Sequence, residues 1–398
     1  MLMMKSLKRI LNDMSYSNVS AGVIASIFGC TGPIVILMNV ATDGGLSQGE
    51  MISWIFSVYV IGGLLGIYLA LKYRIPISGA WSIPSAVFIG TLLQEYSFSS
   101  IIGAFIISSL LVLILGYSKL TSKILQWIPV PIIMAMVAGS MLNLALNIIT
   151  SFEAIPIIAS LSIIGYFLSV KNLTKFPPIL GAIAFSIIGL FITRQFNVYD
   201  HTMVFMGPQL ILPSFHLSPI LSISVPVAIL AIGVNNAQAI GVLIAQGYSA
   251  PIDHMTTTTG WASLVSAFFG GHGATIAGPK TAICASSSAG SDLSKRYIAA
   301  VVDGIIFVLF GLLSSYAIGL LTVLPVEMIQ LIAGLAMLPV LMSFFQKAFS
   351  TEQYQAGAFI AFLISLSSFQ LFNISAPFWA LVFGSLIGVG MKKNFEKE

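Results

Sequence analysis

Residues 75–86 read IPISGAWSIPSA and residues 270–281 read GGHGATIAGPKT, two stretches broken by Gly and Pro inside a chain that is otherwise a succession of apolar runs. A spanning helix satisfies its own backbone. Irregular chain at membrane depth leaves N–H and C=O groups that cost several kcal/mol each, so it persists only where protein buries it or where it lines a cavity. Two such breaks at matching places in two halves of a chain are the sequence mark of a transport site.

The rest of the composition sets the breaks in a membrane. The chain has 398 residues, 57% hydrophobic and 8% charged, far below the ~25% charged of an ordinary soluble domain. The excess of Lys and Arg is scattered singly between apolar runs, which argues against nucleic-acid binding and for topology signals. Cys30 and Cys284 fall inside apolar segments and offer neither a disulfide framework nor metal-ligand spacing.

Polar punctuation divides the chain into about fourteen spans, two of them shortened by the breaks. The first seven lie near 19–40, 51–71, 75–93, 100–117, 128–149, 155–170 and 177–193. The remaining seven lie near 220–244, 257–270, 274–290, 298–318, 326–345, 355–371 and 376–391. Fourteen crossings that start inside place every Lys and Arg except Arg194 and Lys280 on the cytoplasmic side, Lys72, Lys119, Lys295 and Lys347 among them. Both termini are then cytoplasmic. Seven spans per half is an odd number, so the halves enter from opposite sides. The expected fold is an all-α inverted repeat of residues 1–194 and 219–398, joined by a connection over 195–218, with discontinuous third and tenth spans.

Pro suits the first turn of a helix, where its missing N–H is no loss. One half-helix is therefore expected to start near Ser82, two residues before Pro84, and another at Gly278 and Pro279, running through Thr281. Helix starts offer free N–H groups and about half a positive charge, so a facing pair makes a site for an anion or carboxylate. Lys280, the one basic residue inside a span, is a functional candidate by default. It is expected to serve as counter-charge for a bound carboxylate, to pair with an internal carboxylate such as Asp303, or to snorkel to an interface. Asp303 and His272 are the candidates for a proton-carrying group, the alternatives being a static ion pair and a loop donor. In the eighth span Asn235 and Gln238 share a helix face beside Asn236, fit either to touch substrate or to glue helices. Trp81 and Phe28 are candidate apolar walls, and packing is the competing role for both.

Enzyme chemistry finds no specific support. Residues 273–281 resemble a phosphate-binding loop with an inserted Pro, but they follow a membrane span rather than a strand of a soluble βαβ unit. No metal-protease or nucleophile-elbow motif is present, so neither a catalytic residue nor a cofactor nor a metal is expected.

At this point the residues become recognisable. Tyr73-Arg74-Ile75-Pro76 followed by Ala80-Trp81-Ser82-Ile83-Pro84 resembles the signature of the benzoate:proton symporter (BenE-type) family. Asn236-Ala237, Gly247-Tyr248-Ser249-Ala250-Pro251, Thr281-Ala282-Ile283-Cys284 and Leu324-Pro325-Val326 with Ala333-Gly334-Leu335-Ala336 are similar to it too, so the resemblance covers nearly the whole chain. It implies a bacterial inner-membrane secondary transporter with the fold of uracil permeases and sulfate-permease-type carriers. In that fold a core domain, here spans 1–4 and 8–11, moves against a gate domain of spans 5–7 and 12–14. Lys280 and Asp303 depart from the family pattern, which implies either a compensating pair or a changed substrate.

Together these give the leading expectation: proton-coupled uptake of a small organic anion, an aromatic carboxylate such as benzoate, by elevator-like alternation. Ser82 and Thr281 would supply donors, Lys280 charge, Trp81 and Phe28 walls, and Asn235 or Asn236 a polar contact. The partners expected are the anion, a proton, the bilayer and a second copy of the chain. The alternative on the same fold is a nucleobase carrier or inorganic-anion exchanger.

Overall fold

The computed structural model describes residues 9–119, 129–172, 178–195, 206–322, 324–367, 369–371 and 374–395. Lys5, Lys8, Lys123, Lys175 and Lys397 of the charge pattern, and 196–205 of the connection, lie outside the described residues.

The described chain is mostly helical, and several of its helices start where a serine side chain replaces a missing backbone partner. Ser15 opens α1 (Tyr16–Cys30) through a reciprocal box with Asn18, and Ser47 opens α3 (Gln48–Tyr73) through one with Glu50. Between them α2 (Gly32–Asp43) continues α1 after a break at Thr31, where Pro33 removes a helical donor. The first broken segment forms strand β1 (Gly79–Trp81) and short helix α4 (Ile83–Gly90), and α5 (Phe98–Ser118) follows, capped by Ser97. Helices α6 (Val130–Ala154), α7 (Pro156–Asn172) and α8 (Pro178–Thr193) complete the first half.

In the second half, α9 (Leu217–Ile244) is apolar enough to span but is wound unevenly. It widens to π-helix at Ile220–Ser224 and Leu230–Asn236. Pro226 accounts for the first widening, because its ring crowds the carbonyl one turn back; the second carries Asn235 and Asn236. Then come α10 (Ile252–Ala267), strand β2 (Ala274–Ile276), short helix α11 (Gly278–Ala285) and α12 (Tyr297–Leu312). Arg296 clamps the end of α11, donating from Nη1 to the Ala285 carbonyl (2.6 Å) and from Nε to that of Gly290 (2.7 Å). The chain ends with α13 (Ser314–Thr322), α14 (Val326–Ala348), α15 (Gln355–Leu366), a small strand pair, and α16 (Ala376–Phe395).

The expectation of an all-α fold is corrected by the two breaks, which are strands. β1 and β2 pair antiparallel, with Gly79 opposite Ile276, Ala80 opposite Thr275 and Trp81 opposite Ala274. Each break thus supplies the backbone partners the other lacks. Ala277 N–H extends the ladder to the Ser78 carbonyl (2.9 Å).

Packing falls into two groups. α12 lies against α3 and α1, and α10 against α5; separately, α6 receives α14 and α15, α7 lies on α8, and α15 on α16. α14 also meets α2 and so links them. The strand pair reaches α3 through glycine: a Cβ at Gly79 would stand 2.1 Å from the Gly62 carbonyl, and one at Gly66 2.5 Å from the Gly79 nitrogen.

Gly79→Ala is therefore expected to lower the melting temperature of the detergent-solubilised protein, at a cost of ~1–3 kcal/mol typical of overpacking. Gly241→Ala, with open space around the added methyl, should leave it unchanged or raised. Equal melting temperatures for both variants would contradict the close approach.

Candidate functional site

The strand pair delivers both half-helix starts to one place, and the two starts differ. Ser82 caps α4, its Oγ accepting from Ser85 N–H (3.1 Å) and from the Ser85 hydroxyl (2.8 Å). Ala277 occupies the corresponding position of α11, where no side chain accepts from the first turn. The positive end of the α11 dipole is thus the one with open donors.

Pro84 and Pro279, one at each start, line a cavity of about 290 Å³. That is near the lower end of the ~300–1,000 Å³ usual for small-molecule sites. Phe28, Trp81, Phe307 and Phe344 form its aromatic walls, and its polar groups are Asn235, Gln238, Lys280, Ser343 and Lys347. No Asp or Glu is among the described residues lining it. Such a wall is complementary to a small aromatic anion.

Lys280 sits at the boundary between this cavity and a buried polar cluster behind it. Its Nζ is 3.0 Å from Asp303 Oδ2, donates to the Gly79 carbonyl (3.1 Å), and lies 3.0 Å from the Phe307 ring centre. The ammonium thus has a carboxylate, a carbonyl and an aromatic face as its neighbours. Asp303, on α12, also accepts from Ser26 Oγ (3.2 Å) and from the Ser78 hydroxyl. Both charges are buried, Asp303 completely and Lys280 to 3% exposure. Of the roles expected of Lys280, the geometry shows the ion pair.

Of the other sequence-derived candidates, Phe28, Trp81 and Asn235 line the cavity with Lys280, whereas Ser82, Thr281, Asn236, Asp303 and His272 do not. Thr281 Oγ1 accepts from Ser78 N–H (3.2 Å), tying α11 to the chain before β1. Asn236 accepts from Ile276 N–H (2.9 Å) and donates to Thr259 (3.1 Å), which anchors β2 to α10. The Trp54 indole donates to His272 Nδ1 (2.8 Å) and His272 Nε2 is 3.0 Å from the Ser82 carbonyl. The acceptor at one nitrogen and donor at the other define the Nε2–H tautomer. Trp81 stands edge-on to His272 and Tyr59, at 5.5 and 5.9 Å.

Sequence reasoning missed Lys347, Ser343 and Phe344 as lining residues. Lys347 was legible only as an inside-positive charge near a span end. The signal available was the spacing of Pro339, Ser343 and Lys347, which recur every fourth residue on one face of α14.

Removing one partner of a buried ion pair strands the other charge. Lys280→Met is expected to destabilise the protein by ~3–5 kcal/mol, and Asp303→Leu similarly, whereas the double variant should recover most of the loss. Thermal melts of all four proteins check this; strictly additive losses would contradict the pairing.

The chain is 32% identical over 370 residues to the inner membrane protein YdcO of Escherichia coli (strain K12), covering 92% of this chain and 93% of that one. It is 27% identical over 387 residues to the benzoate membrane transport protein of Acinetobacter baylyi, covering 96% of each. The transmembrane domain of the cyanobacterial bicarbonate transporter BicA has a similar fold, with a TM-score of 0.62 at 13% identity over 95% of this chain and 97% of that one. Residues 12–389 match the family model described as benzoate membrane transport protein. The chain therefore belongs to the benzoate membrane transport protein family and is an integral membrane carrier, not an enzyme.

Proposed function

We propose that this carrier takes up a small organic anion, benzoate or another aromatic carboxylate, together with a proton across a bacterial inner membrane. The observation that carries the reading is the aromatic cavity at the uncapped start of α11, with lysines and no carboxylate on its described wall. The Acinetobacter relative, a benzoate membrane transport protein, supports the substrate class. The ring would lie among Phe28, Trp81 and Phe307, with its carboxylate towards the α11 N–H groups and Asn235. Ser82, Thr281, Asn236 and His272, whose polar atoms already hold one another and the strands, keep the two starts in position.

The Lys280–Asp303 pair supplies the coupling in this reading. When Asp303 takes a proton, Lys280 loses its counter-charge, and a bound carboxylate restores it. Proton and anion therefore stabilise each other's binding and cross as a neutral load. His272 is the lesser candidate, because its two ring nitrogens already have a donor and an acceptor as partners.

Fourteen crossings in a seven-plus-seven inverted repeat, with cytoplasmic termini, complete the architecture. Its support is the opposed direction of the strand-to-helix units β1–α4 and β2–α11, paired antiparallel. The packing group of α1, α3, α5, α10 and α12 would be the core that moves against the gate group of α6, α7, α8, α14, α15 and α16. A homodimer formed through the gate would hold that group still.

Purified protein should be stabilised against heat by benzoate and not by uracil or sulfate. Stabilisation by uracil or sulfate alone would overturn the substrate assignment. In proteoliposomes with the voltage clamped, an inward-directed pH gradient should drive benzoate accumulation. Asp303→Asn should abolish that response while benzoate still binds. Accumulation indifferent to the pH gradient in the wild type would overturn proton coupling.

A further inference from the structure

We infer that Lys347, on the last turn of α14, is the cation that recognises the substrate's carboxylate from the gate side, an assignment that rests on the organic-anion reading above. The cavity is chemically suited to an anion, yet while Asp303 is ionised the charge expected to serve it, Lys280, is held by Asp303, the Gly79 carbonyl and the Phe307 ring. Seen from the cavity, that pair is neutral.

Lys347 is different. It lines the same cavity, is exposed, and has no carboxylate within ion-pair reach among the described residues. Its helix fixes its direction: Pro339, Ser343 and Lys347 follow one another at four-residue intervals and all three face the cavity. A lysine in a last turn also complements the helix's negative end. That accounts for a lysine anywhere around the turn, but not for its place on the cavity face beside Phe344. Ser343, one turn earlier, adds a hydroxyl to the same strip.

The placement gives the residue a second consequence. The start of α11 and Asn235 belong to the group of helices packed around the strand pair, whereas Lys347 comes from the group built on α6. A carboxylate held by both is bound only while the two groups stand as they do here. A movement of one against the other would part the anion from Lys347 and weaken its grip. Lys347 is thus a specificity residue whose contact depends on conformation.

The test is benzoate binding to the full chain in lipid nanodiscs by titration calorimetry, with Lys347→Gln, Lys347→Arg and Lys347→Glu, and Lys72→Gln as an exposed lysine away from the cavity. Loss of a charge-assisted contact at a partly solvated site is expected to weaken benzoate about tenfold in Lys347→Gln. Lys347→Arg should stay close to wild type, Lys347→Glu should not bind measurably, and melting temperatures should not move. Lys347→Gln affinity equal to wild type, or equal to a reduced affinity in Lys72→Gln, would overturn the inference. Failure of Arg to rescue, or a fall in melting temperature that tracks the loss, would also overturn it. A wild type that binds no benzoate would instead remove the substrate reading on which it stands.

Discussion

The antiparallel pairing of Gly79–Trp81 with Ala274–Ile276 is the constraint on which the rest of this molecule depends. Two segments stop being helical inside the apolar part of the chain, and in hydrocarbon each exposed backbone group would cost several kcal/mol. Neither segment can satisfy its own groups. Together they do, with Ser78 extending the ladder to Ala277 and with Asn236 and Ser263 holding the outward groups of Ile276 and Ala274. Two short helices can then begin at the same place, and beside them a small-molecule cavity opens. The close approach of Gly62, Gly66 and Gly79 follows from the same demand, since the pair needs a helix behind it that leaves room for bare backbone.

Charge is handled in two layers around that core. The inner layer, Lys280 with Asp303, is dry and fully partnered through Ser26, Ser78 and Gly79. Burying two ions is expensive, and their mutual attraction offsets the cost only when further hydrogen bonds complete both. These do, and the cluster stitches α12 and α1 to the strand pair and α11. The outer layer holds Lys347, which has no carboxylate partner among the described residues, and the uncapped start of α11. A fixed inner pair next to an open outer site is an arrangement in which adding a proton to one changes the charge offered to the other.

Much of this was legible in the sequence where the signal is local. The half-helix starts at Ser82 and Gly278 follow from Pro at a first turn, and Asn235 and Gln238 reach one cavity because they share a face of α9. What was not legible depends on distant residues. Three-residue strands carry no alternation to read, and their partners lie almost two hundred residues away. His272 looks like a loop histidine until Trp54 is brought to its Nδ1. Lys280 had two defensible partners, and only the fold shows that α12 delivers Asp303 to it. Lys347 was hidden because one lysine cannot announce by sequence whether it marks a membrane boundary, faces a site, or does both.

The function proposed for this carrier requires an organic anion to bind in the aromatic cavity with its carboxylate at the start of α11. The most direct measurement is a structure of the protein with 4-bromobenzoate bound, the bromine located by its anomalous signal. One bromine site is expected among Phe28, Trp81, Phe307 and Phe344, with the carboxylate pointing to the first turn of α11 and towards Lys347. A bromine site outside that cavity, with the cavity itself empty, would contradict it.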